Sequence, residues 1–190
     1  MLWNLLRPLS YLFIEHRLKW KVDWLYPLLL AAISTVVVFS LKQFGPVSLY
    51  ADGGIISKVL SFVQGLPGFY IAALAAIATF NKTDIDKTMP APAPKIDILV
   101  QGQSVAIELT RRRFLCSMFA FLTAESLILI VLAIFAQTAY LPIRAIISQS
   151  WQIWVSGLFS LFFFLLFWQM IVATFWGLFY LGDKLHQPDP

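Results

Sequence analysis

The chain has 190 residues, 59% hydrophobic and only 13% charged, with a mean hydropathy of +0.78 and a formal net charge of +4. An ordinary soluble domain is about a quarter charged, so this composition, with 17 Phe, 7 Trp and 6 Tyr, excludes a water-soluble globule, and it equally excludes a disordered chain, which is poor in apolar residues. A lone cysteine, Cys116, excludes an internal disulfide and two histidines cannot build a His-rich metal site, which leaves a small helical membrane protein.

Residues 1–23 carry Leu2, Trp3, Leu5, Leu6, Leu9, Leu12 and Phe13 early and the charges from Glu15 to Lys21 late. This pattern predicts an amphipathic helix on the inner leaflet, its Arg and Lys meeting anionic headgroups at about 1 kcal/mol each. Such a helix anchors the chain, or it docks a partner or senses lipid state. It is not a cleavable signal: no basic region precedes the apolar run and no small-residue cleavage site follows.

Four stretches reach the roughly 20 apolar residues that a helix needs to cross a bilayer: 24–41, 59–80, 114–140 and 151–181. None alternates like a barrel strand, so all are predicted helices. Pro27 falls in the opening turn of the first, where a missing N–H is tolerated. The second contains Gly65, Pro67 and Gly68, which should kink or divide it; its later alanines offer a small-residue face for close helix packing. The fourth is long enough that it must tilt or extend beyond the lipid, and Trp151 and Trp154 at one end with Tyr180 at the other fit interfacial belts. The predicted fold is thus all-α and membrane-integral. It divides into an interfacial helix (1–23), a first helical pair (24–80), a loop (81–113), a second pair (114–182) and a tail (183–190).

Within the loop, a Pro-Ala-Pro-Ala-Pro spacer precedes two alternating runs. Ile96, Ile98 and Val100 alternate before Gly102, and Val105, Ile107 and Leu109 after it, which predicts a β-hairpin with one apolar face. An isolated hairpin is marginal in water. Its face therefore needs cover from another copy, from residues 1–23, or from a soluble partner. Ile96, Ile98, Val105 and Ile107, with Arg111, Arg112 and Arg113, are the candidate partner-binding residues; the arginines serve equally as a topology anchor.

Basic residues set orientation. Eleven fall in the N-terminal segment, the 81–113 loop and the tail, against Lys42, Lys58 and Arg144 in the other two loops. Both termini and the hairpin are therefore expected in the cytoplasm, with no folded domain outside.

Glu125 lies inside the third span, where a carboxyl is costly enough to be a functional candidate by default. Counted from Arg113 it is about 18 Å deep. Gln169, Tyr70 and Thr35 fall near that level, which suggests a polar layer of Thr35, Tyr70, Glu125 and Gln169 near the bilayer centre. A protonated Glu125 bonded to Gln169 would fix helix register; a proton- or voltage-sensitive switch, or an ion site, are the other readings. No catalytic set, P-loop or glycine-rich nucleotide loop is present, so neither an enzyme nor a cofactor or metal is expected.

The stretches FYIAALAAIATFN (69–81) and LTRRRFLCSMFAFLTAES (109–126), together with size, span count and hairpin, resemble small four-span bacterial defence proteins, nearest the membrane subunit of the Kiwa anti-phage system. The resemblance implies a homo-oligomeric inner-membrane sensor carrying a soluble nucleic-acid-binding effector on its cytoplasmic face. The expectation is a non-enzymatic sensor or scaffold whose partners are the lipid bilayer, its own copies as a dimer or tetramer, and a soluble cytoplasmic protein, with no nucleic acid bound directly. A membrane-permeabilising effector or small channel, with Glu125 and the broken second span lining a path, is the alternative.

Overall fold

Apolar sequence folds here into four rods, and the charged and β-prone segments fill one end of them. The computed structural model describes residues 5–16, 18–45, 47–79, 83–89, 93–100 and 103–184. The helices are α1 (Tyr26–Phe44), α2 (Ile55–Val63), α3 (Leu66–Thr79), α4 (Arg111–Ile146) and α5 (Gln149–Phe179). Four segments are long and apolar enough to cross a membrane: Lys21–Phe44, Ile55–Thr79, Arg111–Ile146 and Gln149–Gly182. α4 is central. α3, α2 and α5 all pack on it, and α1 packs chiefly on α5. Phe114, Leu115, Met118, Leu122 and Leu129 of α4 and Phe163 and Met170 of α5 are fully buried.

The second rod is divided at Gln64 and Gly65, which form the turn between α2 and α3. Pro67 is the second residue of α3, where no intrahelical N–H bond is lost. Nothing lies within 4 Å of a Cβ built on Gly65 or Gly68, so these glycines do not serve a close helix contact. At the far end, Gly53 has φ +74, and a Cβ on Gly54 would meet the Ser48 and Ala51 carbonyl oxygens at 2.8 Å. That pair turns the chain so that Ile55 and Ile56 donate to the Ser48 and Leu49 oxygens, both at 3.2 Å.

Helix α4 begins at Arg111, three residues before the predicted span. Thr110 is its N-cap, its side chain accepting from the Arg113 main-chain N–H at 3.3 Å. At the other end α4 runs to Ile146 and α5 starts at Gln149, so the expected loop of 141–150 is mostly helix.

The hairpin consists of β1 (Lys95–Val100) and β2 (Gln103–Glu108), antiparallel, with Ile96 opposite Ile107 and Ile98 opposite Val105. That pairing is the one alternation dictates. The connecting Gln101 and Gly102, most of the proline spacer (90–92), Phe80, the first four residues, Arg17 and tail residues 185–190 lie outside the described residues.

Residues 1–23 are not one amphipathic helix, which corrects the expectation. Arg7–Phe13 form a 3-10 turn with Pro8 at its start; Ile14 is extended, and Lys21–Leu25 form a π-turn that runs into α1. Tertiary pairing overrides periodicity: Glu15 N–H donates to Lys95 O at 2.9 Å and Lys95 N–H to Glu15 O at 3.1 Å. The segment thereby covers one edge of β1 while its 3-10 turn packs on α4.

Candidate functional site

Three side chains of the N-terminal segment converge on α4 and α5. Lys19 and Asp23 are four residues apart and so share a face, and both are only 2% exposed. Lys19 Nζ donates to Asp23 Oδ2 in a buried ion pair. Tyr11 Oη donates to Asp23 Oδ1 at 3.4 Å, and the Lys19 ammonium sits 4.0 Å from the Tyr11 ring centroid, a cation–π contact. From α5, Gln169 Nε2 donates to the Asp23 main-chain oxygen at 2.8 Å. The Tyr11 ring stacks on Phe121, 5.0 Å between centroids, and tilts against Phe114 at 6.1 Å. A charge pair taken from water survives only with such partners. Burial pushes the Lys19 ammonium below its ordinary range, with Asp23 opposing; burial, then Asp23 and Glu125, push the Tyr11 hydroxyl well above its own.

Glu125 completes the cluster. It is 2% exposed and, among the described residues, neither of its carboxyl oxygens has a hydrogen-bond partner. Asp23, Tyr11 and Tyr70 are the ionisable groups within its electrostatic reach. Two buried carboxyls, Glu125 and Asp23, therefore lie in one region with one buried ammonium, Lys19.

The four residues of the proposed layer go different ways. Gln169 bonds Asp23 rather than Glu125. Tyr70 Oη is 2.7 Å from Thr174 Oγ1. Thr35 Oγ1 is buried without a partner, about 12 residues, or about 18 Å, beyond Asp23 along the chain; its neighbour Ser34 accepts from Trp168 Nε1 at 2.9 Å. Tyr11, Lys19 and Asp23 are the cluster residues that sequence reasoning missed. Charges next to an apolar span look solvated, and Lys19 faces Asp23 instead of headgroups. The available signal was the i, i+4 Lys–Asp spacing with a tyrosine upstream.

From Glu125 to the end of α4 at Ile146 is about 21 residues, or about 31 Å. From Gln169 back to the start of α5 at Gln149 is about 20 residues, or about 30 Å. The cluster thus lies about 30 Å from the far end. Trp20 and Trp24, next in sequence to Lys19 and Asp23, are exposed, as are Trp151 and Trp154 in the first turns of α5 at the far end. Tyr180, expected in a belt, packs on Phe114 at 5.8 Å.

On the hairpin side, Arg112 is a clamp. Its Nε and Nη2 donate to the two Asp86 carboxylate oxygens at 2.7 and 2.9 Å, and its Nη1 donates to Ile77 O and Ala78 O, the last carbonyls of α3, at 2.8 and 3.1 Å. Arg111 is buried and Arg113 is exposed. Ile96 and Ile107 are half-buried while Val105 is 42% exposed; the Ile98 side chain lies outside the described residues.

No protein-family model, curated protein or solved structure matches this chain.

Proposed function

We propose that this chain is a non-enzymatic, oligomeric inner-membrane sensor and scaffold that recruits or controls a soluble cytoplasmic protein, in anti-phage defence as the likeness to the Kiwa membrane subunit implies. One observation carries the proposal: the segment that places Tyr11, Lys19 and Asp23 beside Glu125 also pairs with the hairpin through Glu15 and Lys95. A change of charge or lateral pressure at the cluster has a short mechanical route to the exposed strand pair.

Supporting features are independent of one another. The Lys and Arg asymmetry favours a cytoplasmic hairpin and termini. The two exposed tryptophan pairs support a bilayer lying between the cluster and the far end, and in that reading Glu125 sits at the inner boundary of the hydrocarbon rather than at its centre. Phe69, Ile71, Phe175, Leu178 and Phe179 then remain exposed on the hairpin side of that boundary. An apolar surface there favours self-association as a dimer or tetramer.

The test is a mild-detergent pull-down of the tagged protein at native expression, measuring oligomer mass and partner ratio together. The expected result is a defined homo-oligomer with one soluble protein in fixed ratio, lost when Ile98 and Ile107 are both replaced by Asp while membrane localisation persists. Unchanged recruitment by that variant overturns the hairpin's role. A homo-oligomer that comes down alone favours the permeability effector, to be followed by liposome conductance of the wild type and Glu125→Gln.

A further inference from the structure

At the end opposite the hairpin, α1, α4 and α5 enclose a partly open cavity of about 760 Å³, inside the range of about 300–1,000 Å³ typical of small-molecule sites. Its walls are mostly apolar, with Val36, Phe135 and Phe159 among them. Its cationic lining residues are Lys42 and Arg144, and no acidic residue lines it. Lys42 in the last turn of α1, Lys58 in the first turns of α2 and Arg144 in the last turn of α4 are basic residues of this end, and two of these three line one cavity. That concentration has no structural ion pair to explain it among the described residues. Lys42 Nζ lies 4.6 Å from the Phe39 ring centroid. The Arg144 guanidinium is oriented by neutral groups, donating to Tyr140 Oη at 3.2 Å and to Gln152 Oε1 at 3.3 Å. These two bonds use two of its five N–H donors and leave the planar fork able to take an anion.

We propose that this cavity binds one anionic glycerophospholipid, its phosphate held by Lys42 and Arg144 and an acyl chain lying along the Val36, Phe135 and Phe159 wall. An apolar recess with a purely cationic polar rim matches an amphiphile carrying negative charge at one end. A zwitterionic lipid brings its own cation to a rim that is already cationic and so compensates it only in part, and a soluble anion would leave the recess unfilled. Bound there, the lipid bridges α1 to α4 and α5, which Tyr50 already ties together, its ring stacked on Tyr140 at 4.3 Å and its hydroxyl 3.0 Å from Ser156 Oγ.

The test is native mass spectrometry of the purified full chain, titrated with phosphatidylglycerol and with phosphatidylcholine of identical acyl chains. Wild type should retain the anionic lipid in preference, as a single adduct. Lys42→Gln and Arg144→Gln, both at exposed positions, should each weaken that retention about fivefold, the effect of about 1 kcal/mol per basic residue near a lipid surface, and should narrow the preference over phosphatidylcholine, whose choline offsets its phosphate. Val36→Trp should weaken the lipid by filling the wall. Equal retention of the two lipids by wild type overturns the proposal, whatever the variants do. Displacement by millimolar inorganic phosphate overturns it in favour of a soluble anion, and unaltered preference in both charge variants overturns the assignment of the headgroup contacts.

Discussion

Gln169 and Asp23, 146 positions apart in sequence, are joined by a hydrogen bond from the Gln169 amide to the Asp23 main-chain oxygen at 2.8 Å. The acceptor is backbone, so the tie between α5 and the N-terminal segment is independent of the Asp23 carboxyl. That carboxyl is left for Lys19 and Tyr11. Segment position and cluster charge can therefore be altered separately.

Removing one member of the ion pair strands the other in a dry site. Lys19→Met alone and Asp23→Leu alone should each lower stability by about 3–5 kcal/mol, whereas the double replacement should lie near wild type. Thermal unfolding of the purified protein in detergent, read as a double-mutant cycle, checks this; additive losses would show that the pair is not coupled.

Glu125 behaves oppositely. No described group donates to its oxygens, and a buried polar group without a partner costs about 1–3 kcal/mol. Glu125→Leu should therefore raise stability by about that amount, while any dependence of partner recruitment on the membrane state disappears. A fall in melting temperature would reveal a donor that the carboxyl depends on.

Arg112 holds Asp86 in a two-point grip, and those hydrogen bonds keep the Asp86 carboxyl below its ordinary value of 3.8. A depressed folded value contributes order that is fully present above the ordinary value and is lost as pH falls through the lower folded one. The protection factors of residues 83–89, which remove the intrinsic pH dependence of amide exchange, should thus be constant from neutral pH down to about 4 and fall below that. Asp86→Asn should show the acid behaviour at neutral pH, and Arg112→Lys should fray the end of α3 as well, because a lysine cannot grip Asp86 at two points while also reaching the Ile77 and Ala78 carbonyls.

Gly177 lies so close to Met118 that an added Cβ would collide with Met118 Cε. The clashing atom is the free end of a flexible side chain, so Gly177→Ala should destabilise by about 1 kcal/mol, the low end of overpacking. Shortening the partner, with Met118→Ala in the same chain, should recover part of the loss. Equal unfolding temperatures for wild type and Gly177→Ala would mean that the α4 and α5 contact yields freely.

Much of the fold was legible in the sequence, because its main signals are local. Runs such as 24–41 need only length and apolarity to be read as helices, and the hairpin register follows from Ile96, Ile98, Val105 and Ile107 alternating about Gly102. The N-terminal segment was not legible. Its conformation is decided by Lys95, some 80 residues away, and no periodicity within residues 5–25 encodes an edge bond to β1. Of the site, Glu125 and Gln169 stood out as polar residues at depth, but Gln169 bonds Asp23 and Glu125 has no hydrogen-bond partner among the described residues. Counting from Arg113 took the helix to start at Phe114, whereas Thr110 caps it and it begins at Arg111.

The pairing of Glu15 with Lys95 also sets an order of assembly. Synthesis proceeds at about 5–20 residues per second, so Lys95 emerges about 4–16 s after Glu15, and Gln169 later still. Throughout that interval the segment at 5–25 lacks the strand edge, the α4 groove and the amide that hold it in the finished molecule. Tyr11, Lys19 and Asp23 are already near neighbours in sequence, and their contacts with one another need no later sequence. The beginning of the chain is consequently seated last, as a plug pushed into an already assembled bundle, and a ribosome stalled before Gln169 should carry a nascent chain whose N-terminal segment is still open to protease.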